Sequence, residues 1–157
     1  MTMRTIRKIA LLTFLMSLFM TLPAVAQSNI EDQVRELESK NVMADKIVKR
    51  DPKTKKIGMV VKNFRFRSRG SERATALREA FEKDAGRAAS ADVNSRGDNY
   101  ESVLTFVSGR EKTVYKITIS GDKSQPEVDL QVYYRDESVN IDESSVERTR
   151  NNGMATA

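Results

Sequence analysis

The tightest constraint on this fold is an alternation near the C-terminal end of the chain. Val128, Leu130, Val132 and Tyr134 interleave with Glu127, Asp129, Gln131 and Tyr133. A period of two puts successive side chains on opposite faces of a strand, so one face here is apolar and the other polar. Two further strands precede it, Tyr100–Val107 and Val114–Ser120, the second with Tyr115, Ile117 and Ile119 on one face. Ser108-Gly109-Arg110-Glu111 forms a hairpin loop between those two. Gly121-Asp122-Lys123 to Pro126 makes the next short connection. Connections this short join antiparallel neighbours, because a parallel crossover takes about a dozen residues or more. A sheet with one apolar face must then be covered by another layer.

The cover is legible upstream. Ile30, Val34 and Leu37 recur at helical spacing behind Ser28 and Asn29, which suit an N-cap, and Glu31 and Asp32 sit in the first turn. This helix is expected to stop near Lys40-Asn41. Ala74, Leu77, Ala80, Phe81, Ala85 and Ala88 mark a second helix, opened by Ser71 and ended near Gly86. Between the helices lie two strand-like stretches, Val42–Arg50 and Lys56–Arg67, joined by the turn Asp51-Pro52-Lys53-Thr54. In the second stretch Ile57, Met59 and Val61 share one parity while Phe64 and Phe66 share the other. That switch predicts a β-bulge near Lys62-Asn63; a strand buried on both faces is the other solution, which Lys62 and Asn63 disfavour.

Residues 87–99 are small and polar and predict an exposed loop. Apolar residues are sparse beyond Arg135. Residues 136–157 therefore predict a polar, disordered tail, with at most a transient helix around Ser144–Arg150. The order α-β-β-α-β-β-β over residues 27–135 predicts a single two-layer α+β domain. Its sheet is roughly five-stranded and mainly antiparallel, with both helices on one face.

Residues 1–26 read as an address rather than as fold. Arg4, Arg7 and Lys8 open them, Ile9–Met20 is apolar, and Pro23 precedes Ala24-Val25-Ala26, a small-residue cleavage site. This is the pattern of a secretory signal peptide cut between Ala26 and Gln27. The apolar run is shorter than the about 20 residues a membrane helix needs. The chain is thus expected in the periplasm or outside the cell, with no membrane span after cleavage. Gln27 stands where a lipoprotein would need Cys. The leader holds three of the 27 basic residues and none of the 22 acidic ones, so the mature chain carries only +2.

Composition narrows the chemistry. The chain has no Cys, His or Trp. There is no Cys nucleophile, no Ser-His-Asp triad, no disulfide framework and no His or Cys for a zinc, copper or haem site. No cofactor is expected. A carboxylate-dependent hydrolase of the envelope is the alternative enzymatic reading, since glycoside hydrolysis needs only two acids. No pair of acids stands out by spacing.

Charge asymmetry is the most distinctive feature of the mature chain. Asp45–Arg73 holds 11 basic and 3 acidic residues, whereas Glu127–Glu147 holds 7 acids and 1 Arg. In an extended Phe64–Arg67, Arg65 and Arg67 point away from Phe64 and Phe66, and Arg69 joins them if the strand continues. Guanidinium groups spaced along a strand suit phosphate, sulfate or carboxylate groups. Arg65, Arg67 and Arg69 are therefore the candidate anion site, with pairing to the acidic segment as the competing role. Arg96-Gly97-Asp98 is a receptor-type tripeptide in the expected loop, but Gly between charges is ordinary turn chemistry. Asp92-Val93-Asn94-Ser95-Arg96-Gly97 starts like a calcium loop, yet Arg96 and Val103 fall where oxygen ligands are required. The low net charge and the lack of a recognition motif argue against nucleic acid. The leading reading is a non-catalytic exported binding domain, for an anionic envelope component or an exported protein.

A resemblance accompanies these residues. The leader ending at Ala26-Gln27, Asn29-Ile30-Glu31-Asp32, Lys49-Arg50-Asp51-Pro52-Lys53-Thr54 and Ala80-Phe81-Glu82-Lys83-Asp84 resemble small exported proteins of Bacteroides-type bacteria that carry a domain of unknown function. The resemblance covers roughly 29–134. It implies an envelope or secreted location and no catalytic residues.

Overall fold

The computed structural model describes residues 28–142, 146–150 and 155–156. The leader and the cleavage site Ala26-Gln27 lie outside the described residues. The first helix, α1, spans Asn29–Ser39. The Ser28 hydroxyl caps it by accepting from the Glu31 N–H. Its end is closed by Asn41, which takes a left-handed φ of 57°. The Asn41 N–H donates to the Glu38 carbonyl and the Val42 N–H to the Leu37 carbonyl. This paired closure satisfies carbonyls that the helix leaves over, and Leu37 and Val42 are both buried beside it.

Strands β1 (Met43–Arg50) and β2 (Ile57–Arg67) form a hairpin, followed by α2 (Glu72–Ala85). Five strands follow: β3 (Ser90–Arg96), β4 (Asn99–Ser108), β5 (Glu111–Ser120), β6 (Glu127–Asp136) and β7 (Val146–Arg150). These strands lie in the order β3-β4-β5-β6-β2-β1-β7, every neighbouring pair antiparallel. A two-residue strand β8, Ala155–Thr156, runs parallel beside Phe66-Arg67, beyond the end of β1.

Both helices pack on one face of this sheet. Ile30, Val34 and Leu37 of α1 and Leu77, Ala80 and Phe81 of α2 share a core with Phe64, Phe66, Leu104, Ile117 and Leu130. Asp84, near the end of α2, ties the two helices together. Its carboxylate accepts from the Ser28 hydroxyl at 2.6 Å, the Asn29 amide at 2.7 Å and the Ile30 N–H at 2.9 Å.

The five-stranded sheet expected from the sequence is overturned: among the described residues seven antiparallel strands are present, two of them in segments that carry no strand signal. β3 occupies the expected loop at 87–99, and all seven of its residues are exposed. With neither face buried, the segment has no reason to alternate, and Asp, Asn and Ser are poor strand formers. It is held by the Gly97-Asp98 turn and an unbroken ladder to β4. β7 falls in the expected tail, where a transient helix was anticipated. It too is wholly exposed and is held by backbone pairing to β1. Between β6 and β7 the chain folds back, and Val139 is buried.

The bulge falls elsewhere than expected. β2 pairs with β6 without interruption from Met59 to Arg67. The irregularities lie in its pairing with β1, at Ala44 between Met43 and Asp45 and at Gly58, which is passed over between the Lys49–Met59 and Arg50–Ile57 pairs. β2 is therefore apolar on both faces, with Phe64 and Phe66 under the helices and Met59 and Val61 half-buried on the other side. Lys62, on the helix side, is accommodated by an ion pair with Glu38 of α1 at 2.7 Å.

Candidate functional site

With both helices on one side, the opposite face of the sheet is open. Its side chains follow from the strand register. One polar row crosses five strands, from Arg150 on β7 through Asp45, Asn63 and Gln131 to Lys116 on β5. Arg65, Asp129 and Thr118 form the next row, and Arg67, Glu127 and Ser120 the one after. On the other flank lie Ile47, Val61, Tyr133 and Val114, all half-buried. The polar rows line a groove of about 870 Å³. The twist of a wide sheet makes such a face concave rather than flat.

Charge in the groove is largely paired. Arg65 donates from Nε and Nη2 to Asp129 at 3.0 and 2.6 Å, and Asp129 pushes the guanidinium pKa still higher. Arg67 donates to Glu127 at 3.0 Å. Arg148 donates twice to Asp45, at 3.2 and 3.1 Å, and this holds the Asp45 carboxyl below the usual range. The Gln131 amide donates to Asn63 at 2.9 Å between them. These pairs lie at the surface, with Asp45 the most covered of their members, so each is weakly held and can be exchanged for a ligand.

Two cations remain. Lys116 and Arg150 line the groove at opposite ends of the polar row, and neither makes a salt bridge among the described residues, though Arg150 stands opposite Asp45 and adds to the pull of Arg148 on that carboxyl. Four strand spacings of about 4.8 Å separate their backbones by roughly 19 Å. Lining the groove, three cations (Arg65, Lys116, Arg150) meet three carboxylates (Asp45, Glu127, Asp129), and Arg67 and Arg148 stand beside it as the partners of Glu127 and Asp45.

The candidate residues from the sequence are placed as follows. Arg65 and Arg67 lie side by side on the open face, both engaged by acids of β6. Arg69 lies beyond the end of β2, exposed and apart from the groove. Lys116 and Arg150 carry no signal in the sequence, because no local pattern links β5 to β7 and the composition around Arg150 predicts a tail. Arg96-Gly97-Asp98 forms the tight β3–β4 turn, with Gly97 at φ 60° and Asp98 paired to Lys123 at 2.8 Å. The calcium-like segment from Asp92 is strand β3, which spaces its oxygen groups along a line instead of around a centre. Among the described residues no three carboxylates gather at one point.

Residues 27–132 match a family model described as a domain of unknown function (DUF5024). No curated protein matches the chain. Among the described residues no helix is long and apolar enough to cross a membrane.

Proposed function

The chain belongs to the DUF5024 family, and we propose that it is an exported, non-catalytic binding domain that takes an anionic envelope ligand in the groove of its open sheet face. The observation that carries this reading is the pair of cations, Lys116 and Arg150, that flank the Asn63–Gln131 amides and make no salt bridge among the described residues. An elongated ligand with acidic groups along its length fits a row of that width. Arg65 lines it and Arg67 stands just beside it on Glu127, and an incoming anion competes with Asp129 and Glu127 for them. Arg69 stands outside the groove.

A hydrolase would need a carboxyl held protonated near neutral pH beside an ionised one. In the groove, Arg148 displaces Asp45 in the opposite sense, and arginines occupy Asp129 and Glu127. Export rests on the leader, and the mature protein should begin at Gln27 by mass spectrometry. A mature species retaining Ile9–Met20 refutes the export reading.

The binding test is calorimetric titration of the mature protein with inorganic polyphosphate at low salt. Binding should weaken as salt rises, because charges at the surface are screened over about 8 Å at physiological ionic strength. Lys116→Glu/Arg150→Glu should abolish it, Arg65→Ala/Arg67→Ala should weaken it, and Arg69→Ala should leave it unchanged. If Lys116→Glu/Arg150→Glu protein binds like wild type, the groove is not the site.

A further inference from the structure

Among the described residues, the sheet ends in an edge that no other element covers. β3 forms one border of the sheet, and all seven residues of Ser90–Arg96 are exposed. Proteins usually blunt such an edge with proline, lysine, a bulge or a covering loop, because its free N–H and C=O groups invite another strand. β3 has no proline or lysine, and its register with β4 is unbroken from Ser90 to Arg96.

The hairpin fixes which backbone groups are free. The two-residue turn Gly97-Asp98 closes on Arg96 and Asn99. In such a turn the closing residues are a hydrogen-bonded pair, and the pattern alternates from there. Arg96, Asn94, Asp92 and Ser90 therefore bond to β4. Ala91, Val93 and Ser95 direct their N–H and C=O groups outward. Val93 is also one of the few large apolar side chains left in water, at 46% exposed.

The side chains select the partner. Asp92 and Arg96 lie on the same face of β3, four residues apart, and neither has an ion-pair partner among the described residues. At about 3.4 Å per residue they are roughly 13 Å apart and cannot reach each other directly. In an antiparallel pairing of β3 with a second β3 centred on Asn94, Asp92 of each copy stands opposite Arg96 of the other. Val93 then stands opposite Ser95, and the outward backbone groups of these two residues meet. The Asp92–Arg96 pairs fall at the closer, non-hydrogen-bonded positions, where side chains are nearest.

We propose that two copies of this chain associate through β3, joining their sheets edge to edge about a two-fold axis perpendicular to the sheet. The strand is complementary to itself in charge and in backbone register, which no arbitrary peptide would be. This axis keeps both helix layers on one side and both open faces on the other. A seven-residue edge buries less than a permanent dimer interface does, so the association is reversible and concentration-dependent.

Analytical ultracentrifugation of the mature protein, without any ligand, tests this. Wild type should shift from monomer to dimer between about 1 μM and 1 mM, the range expected of a small interface. Asp92→Arg places arginine opposite arginine twice and should weaken association about tenfold or more. Asp92→Arg/Arg96→Asp restores opposite charges and should recover it. Val93→Pro removes an N–H that faces solvent, not β4, so it should leave a folded monomer with an unchanged melting curve. A wild type that stays monomeric throughout overturns the proposal. So does a dimer that persists in Val93→Pro or is indifferent to Asp92→Arg. None of these outcomes depends on the groove or on polyphosphate binding.

Discussion

Replacing Asp84 by alanine should cost the domain about 3–5 kcal/mol, the range found when one partner of a buried charged contact is removed. Asp84 is 1% exposed, and its carboxylate links the end of α2 to the start of α1 by gathering three donors. Hydrogen bonds to a charged group are each worth about 1.5–3 kcal/mol, and three sharing one acceptor are not additive. The placement is informative. A carboxylate at the C-terminal end of a helix opposes the local dipole, yet this one faces the N-terminal end of α1, where negative charge is favoured. It acts as a cap supplied from another helix. Burial alone would raise its pKa, but the hydrogen bonds from Ser28, Ile30 and Asn29 outweigh it, and the net shift is downward. A depressed folded-state pKa means stability that is fully present above the unfolded value of about 3.9 and lost as pH falls through the lower folded value. Urea unfolding of wild type, Asp84→Ala and Asp84→Asn at pH 7 and at steps down to about pH 2 reads this directly. Asn keeps the shape and one acceptor, so its loss at pH 7 should be smaller than that of Ala. The gap between wild type and Asp84→Asn should close as the pH drops. A loss under about 1 kcal/mol for Asp84→Ala, or a gap independent of pH, would refute the reasoning.

Three further outcomes are expected. Phe81 is fully buried between the helices and the sheet, and Phe81→Ala should cost about 3–5 kcal/mol in the same denaturation assay. Gly58→Ala would drive a methyl group into the side chains of Ile141 and Val139, which cover that glycine. It should cost about 1–3 kcal/mol and increase hydrogen exchange at the Val139 N–H. Arg73, then Lys40, hydrogen-bond to Glu36 and bring its pKa down to about 2. Arg73→Ala should let Glu36 titrate nearer the ordinary carboxylate range, as read by carbonyl chemical shifts. The stability linked to this group is present above the unfolded value of about 4.3 and lost toward pH 2 in wild type.

Wherever side chains alternate because one face is buried, the chain reports its own structure. β6 could be read from Val128 to Tyr134, and β5 from Tyr115 to Ile119, because the helix layer takes every second residue. α1 was legible to its last turn, since Ile30, Val34 and Leu37 are buried and Asn41 closes it. Local sequence is silent where pairing alone makes the strand. Ser90–Arg96 and Val146–Arg150 bury nothing, so no periodicity marks them, and their ladders come from neighbours fixed by distant parts of the chain. The same limit applied to β2. Its parity switch was visible, but whether a bulge or a two-faced strand resolves it depends on Ala44 in the neighbouring strand and on Glu38 reaching Lys62. The groove lay beyond local reading for the same reason. Arg65 and Arg67 could be placed on an outward face from Phe64 and Phe66 alone. That Asp129 and Glu127 neutralise them, and that Lys116 and Arg150 end up at the two ends of one polar row, is a matter of register across five strands. Periodicity records which residues leave water, whereas strand order and register decide which charges become neighbours.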